Sequence, residues 1–177
     1  FPFQAIADST YEMSFCYQGN CFEKTLTMPS KANILDMSVV PAQSSTGWDD
    51  EIYLTLDCPT DQYIRYELYL NPQDSNSDST WFRHSQPIYW TNAINSGVHT
   101  YHINNLHHSN HHVSGYTALK VLVYSLSSET VTYLDQLQNF MEDNFSGSQY
   151  QNPPYFYDSE VYGMVYGTAI DSMAIDL

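Results

Sequence analysis

Between about residues 33 and 140, apolar and polar side chains alternate with period two, and clusters of Pro, Gly, Asn, Asp and Ser cut the pattern every 8 to 15 residues. Such alternation puts one face of each segment in a core and the other toward water, which predicts short β-strands joined by turns. "ANILDMSVV" (32–40) reads as a first strand, ended by Pro41 and the polar loop "QSSTGWDD". In "EIYLTLDC" (51–58), Ile52, Leu54 and Leu56 share one face against Tyr53, Thr55 and Asp57. "QYIRYELYL" (62–70) turns Ile64, Tyr66, Leu68 and Leu70 inward and Arg65, Glu67 and Tyr69 outward. "STWFRHSQPIYWTN" supplies one or two short strands, and Pro87 confines them to an edge or bulge. "GVHTYHINNL" (97–106), "GYTALKVLVYSL" (115–126) and "ETVTYLDQLQNF" (129–140) read as three more strands.

Seven or so strands at this spacing predict an all-β, antiparallel two-sheet sandwich. The run "INNL", a polar loop, "SGYTALKVLVYS", a turn at Ser127 and Ser128, and "TVTYLDQL" resembles the last three strands of the immunoglobulin-like and fibronectin type III-like family. The resemblance covers 33–140 and places Tyr116 at that family's tyrosine corner. The antibody pattern of paired sheet-to-sheet cysteines around a core Trp is absent, because Cys58 has no late partner. A resemblance of this kind implies a fold and almost nothing about chemistry.

Two strand-forming extensions flank the sandwich. Residues 1–30 contain "YEMSFCYQGNCFEKTLTM" (11–28), a predicted β-hairpin that raises the question of what it pairs with. Residues 141–177 are Tyr-rich, and in "EVYGMVYGTAI" Tyr162, Met164, Tyr166, Thr168 and Ile170 share a face while Gly163 and Gly167 open the other to a neighbouring backbone. The strand "YTALKVLVYSL" is apolar on both faces, so it needs cover beyond the opposite sheet. The extensions are the candidates to provide it.

Composition narrows the function classes. Twenty acidic residues against five basic ones give a formal charge of −15, which repels phosphate backbones and excludes nucleic acid as a partner. Such acidity keeps a β protein soluble or recruits divalent cations. No apolar run approaches the roughly 20 residues that span a bilayer. The chain starts at Phe1 without a basic and then apolar leader, which leads to the expectation of a processed, secreted form. Cys16 and Cys21 face each other across "CYQGNC", so a disulfide is the favoured reading, with free thiols as the alternative. Asn144, in the sequon Asn144-Phe145-Ser146, is a candidate glycosylation site in what reads as a polar turn.

Candidate chemistry is sparse. His107, His108, His111 and His112 in "HHSNHH" have the i, i+4 spacing that chelates Cu, Ni or Zn from a helix, but Asn104, Asn105, Ser109, Asn110, Ser114 and Gly115 favour a solvated loop. Asp74, Asn76 and Asp78 resemble the first half of an EF-hand calcium loop, yet Ser79 replaces its turn glycine and Ser85 its bidentate Glu. The carboxylates of "GWDDE" (47–51) sit in a loop that announces no cleft. No nucleophile elbow, P-loop, zinc-protease or dinucleotide motif occurs, and no enzyme activity is expected.

Aromatic residues are the larger signal: sixteen Tyr, eight Phe and three Trp, with Tyr53, Tyr69 and Tyr89 on outer faces. Rows of this kind serve protein packing or carbohydrate stacking. The expectation is therefore a structural subunit of an extracellular filament or surface assembly, a head-to-tail homopolymer joined by strand or hairpin complementation. Its assembly residues would be Tyr11, Met13, Phe15 and Phe22 in the hairpin and Tyr162, Met164 and Tyr166 in the tail. The rival expectation is a secreted module that binds glycan or a receptor through Trp48, Trp81, Trp90 and outer tyrosines, with or without calcium. A resident cofactor is not expected.

Overall fold

The computed structural model describes residues 5–17, 19–40, 51–72, 81–83, 88–89, 93–103, 116–146, 155–157, 161–162 and 167–177. In chain order its elements are β1 (Thr10–Tyr17), β2 (Asn20–Thr27), β3 (Asn33–Val40), β4 (Glu51–Cys58), β5 (Tyr63–Pro72), β6 (Phe82–Arg83), β7 (Ile88–Tyr89), β8 (Gly97–Ile103), β9 (Tyr116–Leu126), α1 (Ser128–Ser146), β10 (Tyr155–Tyr157), β11 (Val161–Tyr162) and β12 (Ala169–Asp176). The chain divides into two compact units, Phe1–Pro29 with Leu126–Ala169, and Ser30–Ser125 with Ile170–Leu177.

The second unit is the all-β sandwich. One sheet has the order β3-β4-β8; the other has β12-β9-β5-β6, with β7 also pairing β5. β6 meets Tyr69 and Leu70, whereas β7 meets Arg65 and Tyr66, so the two short strands share one edge of β5. The predicted alternation holds where it was cleanest. Ile52, Leu54, Leu56, Ile64, Leu119, Val121 and Val123 are fully buried, with Tyr66, Leu68, Leu70 and Ile103 nearly so. Burying each such aliphatic side chain contributes about 2 kcal/mol, and this inter-sheet layer is the main source of the unit's stability.

Residues 129–140 are not a strand. They lie in α1, where Ser127 Oγ accepts from Thr130 N (3.2 Å) and the Ser127 carbonyl accepts from Val131 N (3.1 Å), an N-cap that starts a helix. Thr130 and Val131 are buried, Leu134 and Leu137 half-buried, and Glu129, Asp135 and Gln136 exposed. That is helical periodicity, and it outweighs the local β preference of "TVT". The place beside β9 that this segment was expected to fill is taken instead by β12, from much further along the chain.

The first unit holds the predicted hairpin. β1 and β2 pair from Thr10↔Thr27 to Tyr17↔Asn20, so the ladder runs past the cysteines toward the turn. Gly19 has φ +86°, a conformation that an L side chain rarely adopts. Met28 N donates to Ser9 O (2.9 Å), and Lys24 forms an ion pair with Glu129 at the start of α1. The short hairpin of β10 and β11 completes the described elements of this unit.

Candidate functional site

The hairpin answers part of the question its sequence raised. Among the described residues, β1 and β2 pair with each other and with no strand of the sandwich. Cys16 and Cys21 are opposite one another in the ladder and are joined as a disulfide. Phe15 and Phe22 are the adjacent register pair, and Tyr11 and Met13 pair with Leu26 and Lys24. Met13 is 36% exposed although apolar, whereas Tyr11 is half-buried and its hydroxyl accepts from Ile6 N (2.8 Å). The residues expected to assemble thus lie together on one ladder. In the tail, Tyr162 belongs to β11, while Met164 and Tyr166 lie outside the described residues.

β12 is the element whose position the sequence did not reveal. It occupies the edge beside β9, where Leu177 N donates to Thr117 O (3.0 Å). Met173 and Ile175 pack against the core from the alternate positions that face it. Asp171 continues that set and carries its only charge. Its carboxylate accepts from Ile34 N (2.8 Å) and pairs with Lys31 Nζ (3.0 Å), reaching the start of β3 in the opposite sheet. Burial alone would raise the pKa of Asp171, but the Ile34 and Ser172 N–H groups and the Lys31 charge hold it below the usual value. Beside it, Ser125 Oγ accepts from Ala32 N (2.9 Å), so two alternate N–H groups at the head of β3 are satisfied by side chains of the other sheet.

The outward faces of the two sheets differ. On the three-stranded sheet, Tyr53 and His102 stand opposite each other and stack with ring centroids 4.7 Å apart. Tyr53 OH donates to Glu51 Oε2 (2.6 Å), and His102 Nε2 lies 3.8 Å from the same oxygen. The hydrogen bond to Glu51 is the main cause of a raised Tyr53 pKa. On the larger sheet, Glu67 is buried although it occupies an outward position. Its carboxylate pairs with Arg65 and accepts from Tyr69 OH (2.8 Å) and Tyr124 OH (3.0 Å), while the Arg65 guanidinium lies 5.1 Å over the Tyr124 ring. Burial pushes Glu67 upward, yet these donors outweigh it and the net shift is downward. Tyr124 is pushed up to about 12, first by burial and then by Glu67. The predicted two-sided burial of β9 thus has a partner set: Leu119, Val121 and Val123 in the core, and half-buried Ala118, Leu122 and Tyr124 outside.

The metal-binding expectations, His107, His108, His111, His112, Asp74, Asn76 and Asp78, lie outside the described residues, as do Trp48 and Trp90. Trp81 is half-buried, with Lys120 Nζ 5.7 Å from its ring centroid. Asn144 is in the last turn of α1 rather than in a polar turn. Cys58 is a buried free thiol, raised by burial. Among the described residues no group of three or more His, Cys, Asp or Glu is placed to hold a metal ion, and no helix is long and apolar enough to cross a membrane.

The fold and these surfaces define a class, an all-β two-sheet sandwich carrying a disulfide-bonded hairpin in a separate compact unit. No family model, curated protein or solved structure matches the chain.

Proposed function

We propose that this chain is a structural subunit of an extracellular assembly, in which neighbouring copies complete one another's β-structure through segments outside the sandwich core. The observation that carries the reading is the hairpin. Among the described residues it forms a two-stranded sheet that no third strand joins, with a disulfide across its closed end. Isolated two-stranded hairpins are marginal in water, and an open strand edge is a template for another chain. A disulfide persists where the surroundings are oxidising, which supports an extracellular setting.

The sandwich itself we read as immunoglobulin-like, closer to the fibronectin type III arrangement. β3, β4 and β8 would be the first, second and fifth strands of that fold, and β5, β9 and β12 the third, sixth and seventh. Tyr116, half-buried and packed against the core at the start of β9, supports this reading.

Light scattering and negative-stain electron microscopy of the full chain, with and without residues 1–30, test the proposal. Regular oligomers or fibres from the full chain alone are the expected result. Monomers from both would overturn it. A second reading, glycan or receptor binding, draws on the Tyr53, His102 and Glu51 group, whose paired rings and hydrogen-bonding edges stand on an outward sheet face. Under that reading Tyr53→Ala abolishes glycan-array binding and leaves oligomeric state unchanged.

A further inference from the structure

β12 differs from every other long strand of the sandwich in what it gives the core. The fully or nearly buried core residues come from Ala32, β3, β4, β5, Ile94, β8 and β9, whereas Met173 and Ile175 of β12 are only partly buried against them. The most deeply buried part of the inter-sheet layer is therefore built by the other strands, and Met173 and Ile175 cover it from the edge. What β12 adds is lateral pairing to β9 and the Asp171 bridge to Ile34 N and Lys31 in the facing sheet. A strand held by edge hydrogen bonds, one small buried side chain (Ala169), two partly buried ones and one partly exposed ion pair belongs at the low end of local opening free energies.

The chain path gives the same impression. β9 and β12 are neighbours in one sheet, yet residues 127–168 between them cluster with the other compact unit. Filling this slot in cis requires the chain to leave the sandwich and return.

We propose that β12 is an exchangeable strand: β12 of one copy enters the slot beside β9 of a second copy, with Asp171 locked onto that copy's Ile34 N and Lys31. The inference rests on the assembly reading above and adds to the hairpin a second contact between copies, with its element and acceptor named. The partner is a second copy because the complementary groups belong to this chain. An incoming strand needs the β9 edge, an unpaired N–H at the head of β3 and a cation beside it, and Lys31 is one of only five basic residues in a chain of formal charge −15. Asp171 also fixes register. A slip of one residue turns Asp171 outward and brings Ile170 and Ser172 to the core side, leaving Ile34 N without its acceptor. Exchange conserves every hydrogen bond of the cis form, so its net cost is the entropy of joining two copies, offset by any contact the joined copies gain.

The test uses two full-length chains of different mass, one carrying Thr117→Cys and the other Leu177→Cys. Both positions are exposed, and they lie beside each other through the Leu177 N to Thr117 O bond. The chains are co-expressed, treated with a short bis-maleimide and resolved by mass. A mixed covalent product is expected, and Asp171→Ala on the Leu177→Cys chain should remove most of it. A single chain carrying both cysteines reports closure in cis and shows that the strand is folded onto β9. If that control links internally, the chains oligomerise by light scattering and no mixed product forms, the strand inference falls and the assembly reading survives through the hairpin. If neither oligomers nor mixed product appear, both fall.

Discussion

At the scale of single residues, Glu67 shows how an outward strand position becomes an interior one. Period two assigns it to the solvent side of β5, and it does point away from the inter-sheet core. Yet three donors, Arg65, Tyr69 and Tyr124, converge on it and it is only 5% exposed. Because its folded pKa is depressed, the carboxylate contributes stability that is present above the usual carboxylate range. That contribution is lost as the pH falls below the usual carboxylate range and through the depressed pKa. Glu67→Gln should cost about 2 kcal/mol at neutral pH by urea unfolding. The variant should also lose less stability than the parent between neutral pH and pH 3, since Gln does not titrate. Tyr124 gives the complementary alkaline signature. Its raised pKa favours the neutral phenol in the folded state, so stability is intact below about pH 10 and falls as the pH rises toward 12. Absorbance titration should find this tyrosine ionising well after the exposed ones.

At the scale of elements, the segment expected to be the last strand of the sandwich is the helix α1, and β12 lies beside β9. The segment "ETVTYLDQL" offers both periods, with Thr130, Thr132 and Leu134 alternating and Val131, Leu134 and Leu137 at helical spacing. The Ser127 cap and the burial of Val131 select the helix. Ser127→Ala should cost about 1 kcal/mol of stability in the unit containing α1, read by thermal melting followed through helical circular dichroism. In β12, "AIDSMAID" alternates Asp171, Met173 and Ile175 against Ile170, Ser172 and Ala174. A charged residue in the inward set hid this strand from a purely hydrophobic criterion. The signal that identifies it is Asp171 itself, an acceptor matched to Ile34 N.

At the scale of the whole molecule, the charge of −15 sets the conditions for association. Two copies repel at long range, and salt screens that repulsion within about 10 Å at 0.1 M. Assembly through strand pairing should therefore strengthen between roughly 20 and 200 mM NaCl, measured by light scattering at fixed protein concentration. Assembly held mainly by Lys31 and Asp171 across copies should weaken over the same interval.

The inward sets of β4, β5 and β9 were legible because a half-buried strand must alternate, and Ile52, Leu54, Leu56, Ile64, Leu68 and Val121 obey that necessity without reference to distant residues. The Cys16 and Cys21 pairing was legible for the same local reason, a short turn that brings two opposed positions together. Tertiary structure alone decided which segment lies beside β9, that Tyr124 joins Glu67, and that Asp171 reaches the head of β3. These contacts join residues far apart in the chain. Local periodicity carries no information about which distant donor will satisfy a given acceptor, because that choice is made only when the sheets pack.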